Sequence, residues 1–415
     1  MRRILFKFCL ILIFISCNHS SNPLYTPNRL EVEGFPKIDR RPSPADYSNG
    51  VKVAVPEYDQ NSTDPFQIDF RSFDLSALNF KNSLNELMYS TFNSRTIWPA
   101  DDMLPLHFDY TILMELGKNP GLNVRSLHKR NITGKNVGIA IVDQTLLTEH
   151  VEYADNLQFY EEINLFNNSI AQMHGAAVAS IAVGQSVGVA PEANLFYIAT
   201  ILNGKTLDNG TYSRDFTCYA EAVHRLLEIN ELLPSDKKIR VISMSAGWSD
   251  WEIGYSEIKS VVDEAKSRGI FVVSSNIEEV YGFKFHGLGR FPLSDPDLFE
   301  SYLPGSWWCE GFYDGYGRPA DRLLVPMDSR STASETGVVD YVFYRVGGWS
   351  WSIPYIAGLY ALAVQVDPDI DPDKFWNNAV STGRIITIQV DGEGIPLGPI
   401  IDPVALIDAL MVSMR

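Results

Sequence analysis

The stretch Val137-Gly138-Ile139-Ala140-Ile141-Val142, followed at once by Asp143, decides the fold. It is short, apolar, rich in β-branched residues and bounded by polar ones. A strand with one wet face would alternate apolar and polar, so this pattern predicts a strand buried on both faces. Asn194 to Ala199, Ile239 to Met244 and Ile270 to Val273 are further candidates. Helical patterns lie between them. Val223, Leu226 and Leu227 recur at helical spacing, as do Ile258, Val261, Val262 and Ala265, with Gly269 placed to stop the second helix. Strand and helix in alternation predict an α/β fold of three layers, a mostly parallel sheet with helices on both faces. Functional groups of such sheets collect at the carboxyl ends of the strands, which makes Asp143 the first candidate. By itself an acid there is more often a cap or a turn residue.

The chain has 415 residues, 45% of them hydrophobic, enough for two ordinary domains or one large domain with an extension. Residues 1–17 open with Arg2, Arg3 and Lys7, run on through apolar Phe8 to Ile15, and end in Ser16-Cys17. A basic start with an apolar run too short to span a bilayer marks an export signal. Its end resembles the lipobox of bacterial lipoproteins, with Phe14 where Leu, Val or Ile is usual. The resemblance implies cleavage before Cys17, a lipid on Cys17, and a place in the bacterial cell envelope, anchored to a membrane. Without these residues, which hold three basic groups and no acid, the formal charge moves from −17 to −20. So acidic a body repels phosphate, which excludes nucleic-acid binding through a broad basic surface.

Residues 18–50 are rich in Pro, Ser and Asn and read as a flexible tether. Residues 51–108 mix short apolar and polar runs and form an N-terminal extension, either a propeptide or a permanent wrap. Residues 109–415 hold the strand–helix pattern. Beyond Cys9 in the signal and Cys17, only Cys218 and Cys309 remain. They pair in one disulfide or stay free, and two cysteines alone make no structural zinc site.

His174 opens the run His174-Gly175-Ala176-Ala177-Val178-Ala179, whose small residues predict a helix packed closely among its neighbours. Ser350 lies in Gly347-Gly348-Trp349-Ser350-Trp351-Ser352-Ile353-Pro354, where glycines let the backbone turn and a helix should begin near Ser350, with Pro354 in its first turn. A helix start offers unbonded N–H groups to a developing negative charge. Either residue alone has an ordinary explanation, a locally bonded histidine or an N-cap serine.

Taken in order, Asp143, His174 and Ser350 resemble the subtilisin-like serine proteases, the subtilases, whose triad runs Asp, His, Ser. Thr133 to Asp143 is similar to the family's aspartate block, with Gln144-Thr145 in place of the usual pair. His174-Gly175 with Gly184 is similar to the histidine block, and Gly188 to Ala193 to the loop after it. Gly348 to Gly358 is similar to the serine block, with Trp349 where Thr is usual. The resemblance spans about residues 110–415. It implies a serine endopeptidase: Ser350 as nucleophile, His174 as base and Asp143 orienting it. It further implies that Asn276, just past the Ile270–Val273 run, is a side-chain oxyanion donor, although the usual preceding Gly is missing. Ser245, Ala246 and Gly247 would lie along an extended protein or peptide substrate. No cofactor is needed for this chemistry. Subtilases often bind calcium, but no motif here places an ion: the alternating Asp367, Asp369, Asp371 and Asp373 meet Pro372 where a calcium loop needs Gly, and a turn into a helix is expected instead. Tyr302, Trp307, Trp308, Phe312, Tyr313 and Tyr316 crowd one stretch, either an insertion's own core or a substrate wall. The departures at Gln144, Trp349 and Asn276 leave a second reading, a binding or signalling lipoprotein with little turnover. Cleavage of the extension would release the protein from its anchor.

Overall fold

Residue parity along the buried strands sorts the molecule into its layers. In Gly138–Asp143, Ile139 and Ile141 face one core, and Ala140 and Val142 face the other. Val241 faces the first core while Ile242 and Met244 face the second. This is the period-two alternation of a strand with no wet side. The first core is filled by the helices Met173–Val183 and Trp349–Val366, the second by Thr217–Leu232 and Tyr255–Ser267. The fold is therefore a three-layer α/β arrangement, as expected. The structure, a computed structural model, describes residues 32–59, 64, 66–166, 168–208, 210–315, 321–390 and 392–413. The signal, Cys17 and Tyr316 lie outside the described residues.

The main sheet has six strands in the order Lys37–Ile38, Leu157–Glu162, Asn194–Ala199, Gly138–Asp143, Ile239–Met244, Phe271–Ser274, all paired in parallel. After Gly138–Asp143 the chain lays down Leu157–Glu162 on one side, inserts Asn194–Ala199 between the two, and then crosses to build Ile239–Met244 and Phe271–Ser274 on the other side. Asp143 thus stands at the switch in strand order, the place at the carboxyl ends where open α/β sheets generally bind their ligands. Gly269, at φ +75°, ends the Tyr255–Ser267 helix as expected. Asp371 caps the helix Pro372–Ser381 by accepting from Lys374 N–H at 2.7 Å, so the alternating acids form the expected turn into a helix. Cys218 and Cys309 are both free thiols.

The N-terminal segment departs from the expectation of a loose tether. Lys37 and Ile38 pair with Phe159 and Tyr160 as the outermost strand of the main sheet. Arg40 holds Glu162 through two hydrogen bonds of 2.6 and 2.8 Å, and Ala45 is buried. A composition poor in apolar residues misled here because the attachment uses backbone pairing and one bidentate ion pair. Residues 66–108 then build their own core from Ile68, Phe70, Leu75, Phe80, Leu87 and Phe92, closed by Phe343 of the Tyr341–Tyr344 strand. Phe92–Asn93 pairs with that same strand, which leads directly to Gly347 and Ser350. No helix among the described residues is long and apolar enough to cross a membrane.

Candidate active site

Asp143 ends its strand and is almost wholly buried. Its Oδ1 accepts the Gln144 backbone N–H at 2.7 Å and lies 2.7 Å from His174 Nδ1. A carboxylate only accepts, so this contact places the proton on Nδ1 and leaves Nε2 free to act as a base. His174 is the second residue of its helix. The helix start comes this close to the strand end because residue 175 is glycine: a Cβ there would sit 2.6 Å from both Gln144 O and Tyr197 Oη. Burial pushes the imidazole pKa down, but the charge and hydrogen bond of Asp143 outweigh it, and the pKa is raised above its ordinary value. Among the described residues no protein group bonds Nε2.

Ser350 is half-buried and follows Gly348 and Trp349 at the N-terminus of the helix Trp349–Val366. The helix begins at Trp349, so Pro354 falls in the second turn rather than the expected first. There it removes the N–H that would bond Ser350 O. Ser245 Oγ–H takes that role, donating to Ser350 O at 3.0 Å. One of the three residues expected along a substrate thus braces the helix that carries Ser350. The next residue, Trp351, has its ring centroid 5.5 Å from that of His174, which sets the two helix starts side by side. No hydrogen bond joins Ser350 to His174 in this structure; such bonds are often loose before substrate binds.

Asn276 follows the strand Phe271–Ser274, at the carboxyl edge that also carries Asp143. Its amide is engaged on every side. Oδ1 accepts Trp248 N–H at 2.7 Å, and Nδ2 donates to Trp248 O at 2.7 Å and to Glu279 Oε2 at 2.8 Å. The Trp248 bonds tie two strand exits together. Only the bond to exposed Glu279 could be exchanged for another acceptor. Ala246 O accepts Ser275 N–H at 3.0 Å, and a Cβ on Gly247 would come within 2.8 Å of Asn276 Oδ1, so this segment needs glycine.

The aromatic stretch divides. Tyr302 and Phe312 are core residues, and Trp308 stacks on His286 at 4.8 Å, whereas Trp307 is 56% exposed. Burial pushes the His286 pKa down to about 4, so it is neutral near pH 7. Sequence reasoning missed Asp328, a carboxylate buried between the strands Leu323–Pro326 and Arg330–Ala333. A lone acid directly after Leu323-Leu324-Val325-Pro326-Met327 was the available signal. A cavity of about 500 Å³, lined by Glu221, His224, Arg225, Glu228, Glu257 and Glu264 among others, lies between the helices of the second core and contains none of the candidate groups. Among the described residues no cluster of His, Cys, Asp and Glu is arranged to hold a metal ion.

Residues 134–296 match the Subtilase family. Subtilisin NAT of Bacillus subtilis subsp. natto is 25% identical over 268 residues, which cover 63% of this chain and 62% of that protein. The alignment therefore spans less than two thirds of that relative. Subtilisin of Bacillus pumilus is 24% identical over 268 residues, covering 63% of this chain and 86% of its own. A solved structure titled as the prenylagaramide maturation protease PagA aligns at 15% identity with a TM-score of 0.43, over 69% of this chain and 98% of its own.

Proposed function

We propose that this chain is a serine endopeptidase of the bacterial cell envelope, working through Asp143, His174 and Ser350. The observation that carries the reading is the 2.7 Å contact of Asp143 with His174 Nδ1, with Ser350 on the neighbouring helix start. In the proposed reaction Ser350 Oγ attacks a peptide carbonyl as its proton passes to His174 Nε2. The charge of Asp143 stabilises the imidazolium that results. The C–N bond then breaks, and His174 returns the proton to the departing amine. Water, deprotonated in turn by His174, releases the acyl group from Ser350. The Ser350 backbone N–H, at a helix start, faces the developing oxyanion. Asn276 Nδ2 is the proposed second donor, and that role requires it to leave Glu279 for the substrate oxygen.

Ser245, Ala246 and Gly247 are proposed to lie along the peptide substrate. The lipobox-like end of the signal supports a lipid on Cys17 and a membrane anchor. The pairing of Lys37–Ile38 and of Phe92–Asn93 into two sheets of the body supports a retained wrap over a released propeptide. Such a wrap keeps the protein with its anchor. The second reading, a binding or signalling lipoprotein with little turnover, is favoured by the commitment of both Asn276 Nδ2 hydrogens. Labelling by a fluorophosphonate separates the two. The wild type is expected to be labelled at one site, and Ser350→Ala to lose the label with an unchanged melting temperature. Equal labelling of both would remove Ser350 as the nucleophile.

A further inference from the structure

The backbone that delivers Ser350 to its helix is clamped at one residue. The Gly347 N–H donates to Asp328 Oδ1 at 2.8 Å, and the Gly347 carbonyl accepts the Trp307 indole N–H at 2.9 Å. Both backbone polar groups of Gly347 are thus held by side chains from outside the loop. The other oxygen of Asp328 accepts the backbone N–H and the hydroxyl of Ser306, each at 2.9 Å. No side chain fits at position 347, where a Cβ would meet Met327 O at 2.4 Å. Gly348 then runs extended, at φ −172° and ψ 171°, into the helix that starts at Trp349.

Among the described residues no guanidinium is bonded to the carboxylate. Arg345 lies close enough for its charge to act on Asp328, but its Nη1 reaches Ser329 Oγ at 3.4 Å instead. Nor does Asp328 touch the candidate nucleophile. A buried acid with only neutral donors contributes little net stability against an apolar replacement. What it contributes here is geometry, because three N–H and O–H groups from two loops converge on one rigid, almost wholly buried group.

We propose that Asp328, with Trp307, is a positioning residue for Ser350: it pins Gly347, so that the serine and its oxyanion-binding N–H are aimed before substrate arrives. The inference rests on the reading of Ser350 as nucleophile. It assigns a role to the aromatic stretch, which becomes the support of the nucleophile loop through Ser306 and Trp307. Asp328→Asn keeps the shape but turns one acceptor into a donor that opposes either Gly347 N–H or Ser306. Trp307→Phe keeps a ring, largely exposed, and removes only the indole N–H.

The test measures the inactivation rate constant and the binding constant for a fluorophosphonate, with melting temperatures, on wild type, Asp328→Asn, Trp307→Phe and Ser350→Ala. Asp328→Asn is expected to slow inactivation about 10²-fold, the scale of a roughly 1 Å misplacement, with the binding constant changed less than about twofold. Trp307→Phe should slow it about fivefold, as for one ordinary hydrogen bond. A purely structural Asp328 would lower the melting temperature and leave the rate constant of the folded fraction unchanged, which overturns the proposal. If Asp328→Asn does not fold, Trp307→Phe decides, and a wild-type rate constant there overturns it. Wild-type labelling that persists in Ser350→Ala instead overturns the nucleophile reading, and this inference with it. That outcome is distinguished by the Ser350→Ala arm alone.

Discussion

The two halves of the candidate site are held by different means. Asp143 and His174 sit at the ends of a central strand and a small-residue helix, and one hydrogen bond of 2.7 Å joins them. Ser350 also sits at a helix start and Asn276 just past a strand, but the loops that bring them there are fixed by side chains, through Ser245, Trp248, Trp307 and Asp328. A group on a central strand inherits its position from the sheet, so few residues suffice to orient it. A group delivered by a loop must be fixed by side chains that come from several places in the sequence. Of the departures from the subtilase pattern, Trp349 and the missing Gly before Asn276 fall in the loop-held half, and Gln144 falls beside Asp143 in the other.

Breaking the sheet-held half should have the largest effect. Asp143→Asn keeps the shape but lets Nδ1 lose its proton to the wrong tautomer, and kcat should fall about 10⁴-fold with the fold intact. A loss under tenfold in steady-state kinetics would detach Asp143 from the mechanism. Next comes the N-terminal extension, whose Phe92–Asn93 strand pairs beside the loop-held half. Phe92 is buried, stacked on Phe343 at 5.3 Å and edge-on to Trp98 at 5.2 Å. Phe92→Ala should cost about 3–5 kcal/mol in denaturant unfolding. A cost below about 1 kcal/mol would speak for an extension that is shed, since a propeptide need not stabilise the mature body.

The loop-held half is tested directly by Asn276→Ala, expected to lower kcat about 10²–10³-fold with KM little changed. A drop in melting temperature with kcat within about threefold of wild type would leave Asn276 as a brace between strand exits. The smallest effect sharpens the sheet-held half. Because the His174 pKa is raised in the folded protein, the rate should climb with pH through a midpoint above the ordinary imidazole value of about 6.5, since the base must be neutral. The same shift has the opposite sign for stability. The Asp143–His174 pairing stabilises the fold fully below the unfolded pKa, and that contribution is lost as pH rises through the folded one. A midpoint below 6.5 in a pH–rate profile would mean that burial, not Asp143, governs the imidazole.

Local pattern made four of the six strands of the main sheet, two of the helices and the strand-end position of Asp143 legible, because a buried strand must be apolar on both faces and a helix must repeat its apolar face. The same reading missed Leu157–Glu162, whose polar Gln158, Glu161 and Glu162 break the apolar run, and the Lys37–Ile38 strand, which joins the sheet through backbone pairing that leaves almost no side-chain signature. Pro354 looked like a first-turn residue, since the sequence shows where a helix can start but not the residue at which it does. The amino-acid sequence by itself determined the three-layer scaffold and the order Asp143, His174, Ser350 along it. Only the tertiary structure decided that Asn276 is already bonded on every side and that Asp328 and Trp307 hold Gly347. Those contacts join residues far apart in the chain, through hydrogen bonds whose geometry exists only once the loops have met, and no local periodicity encodes them.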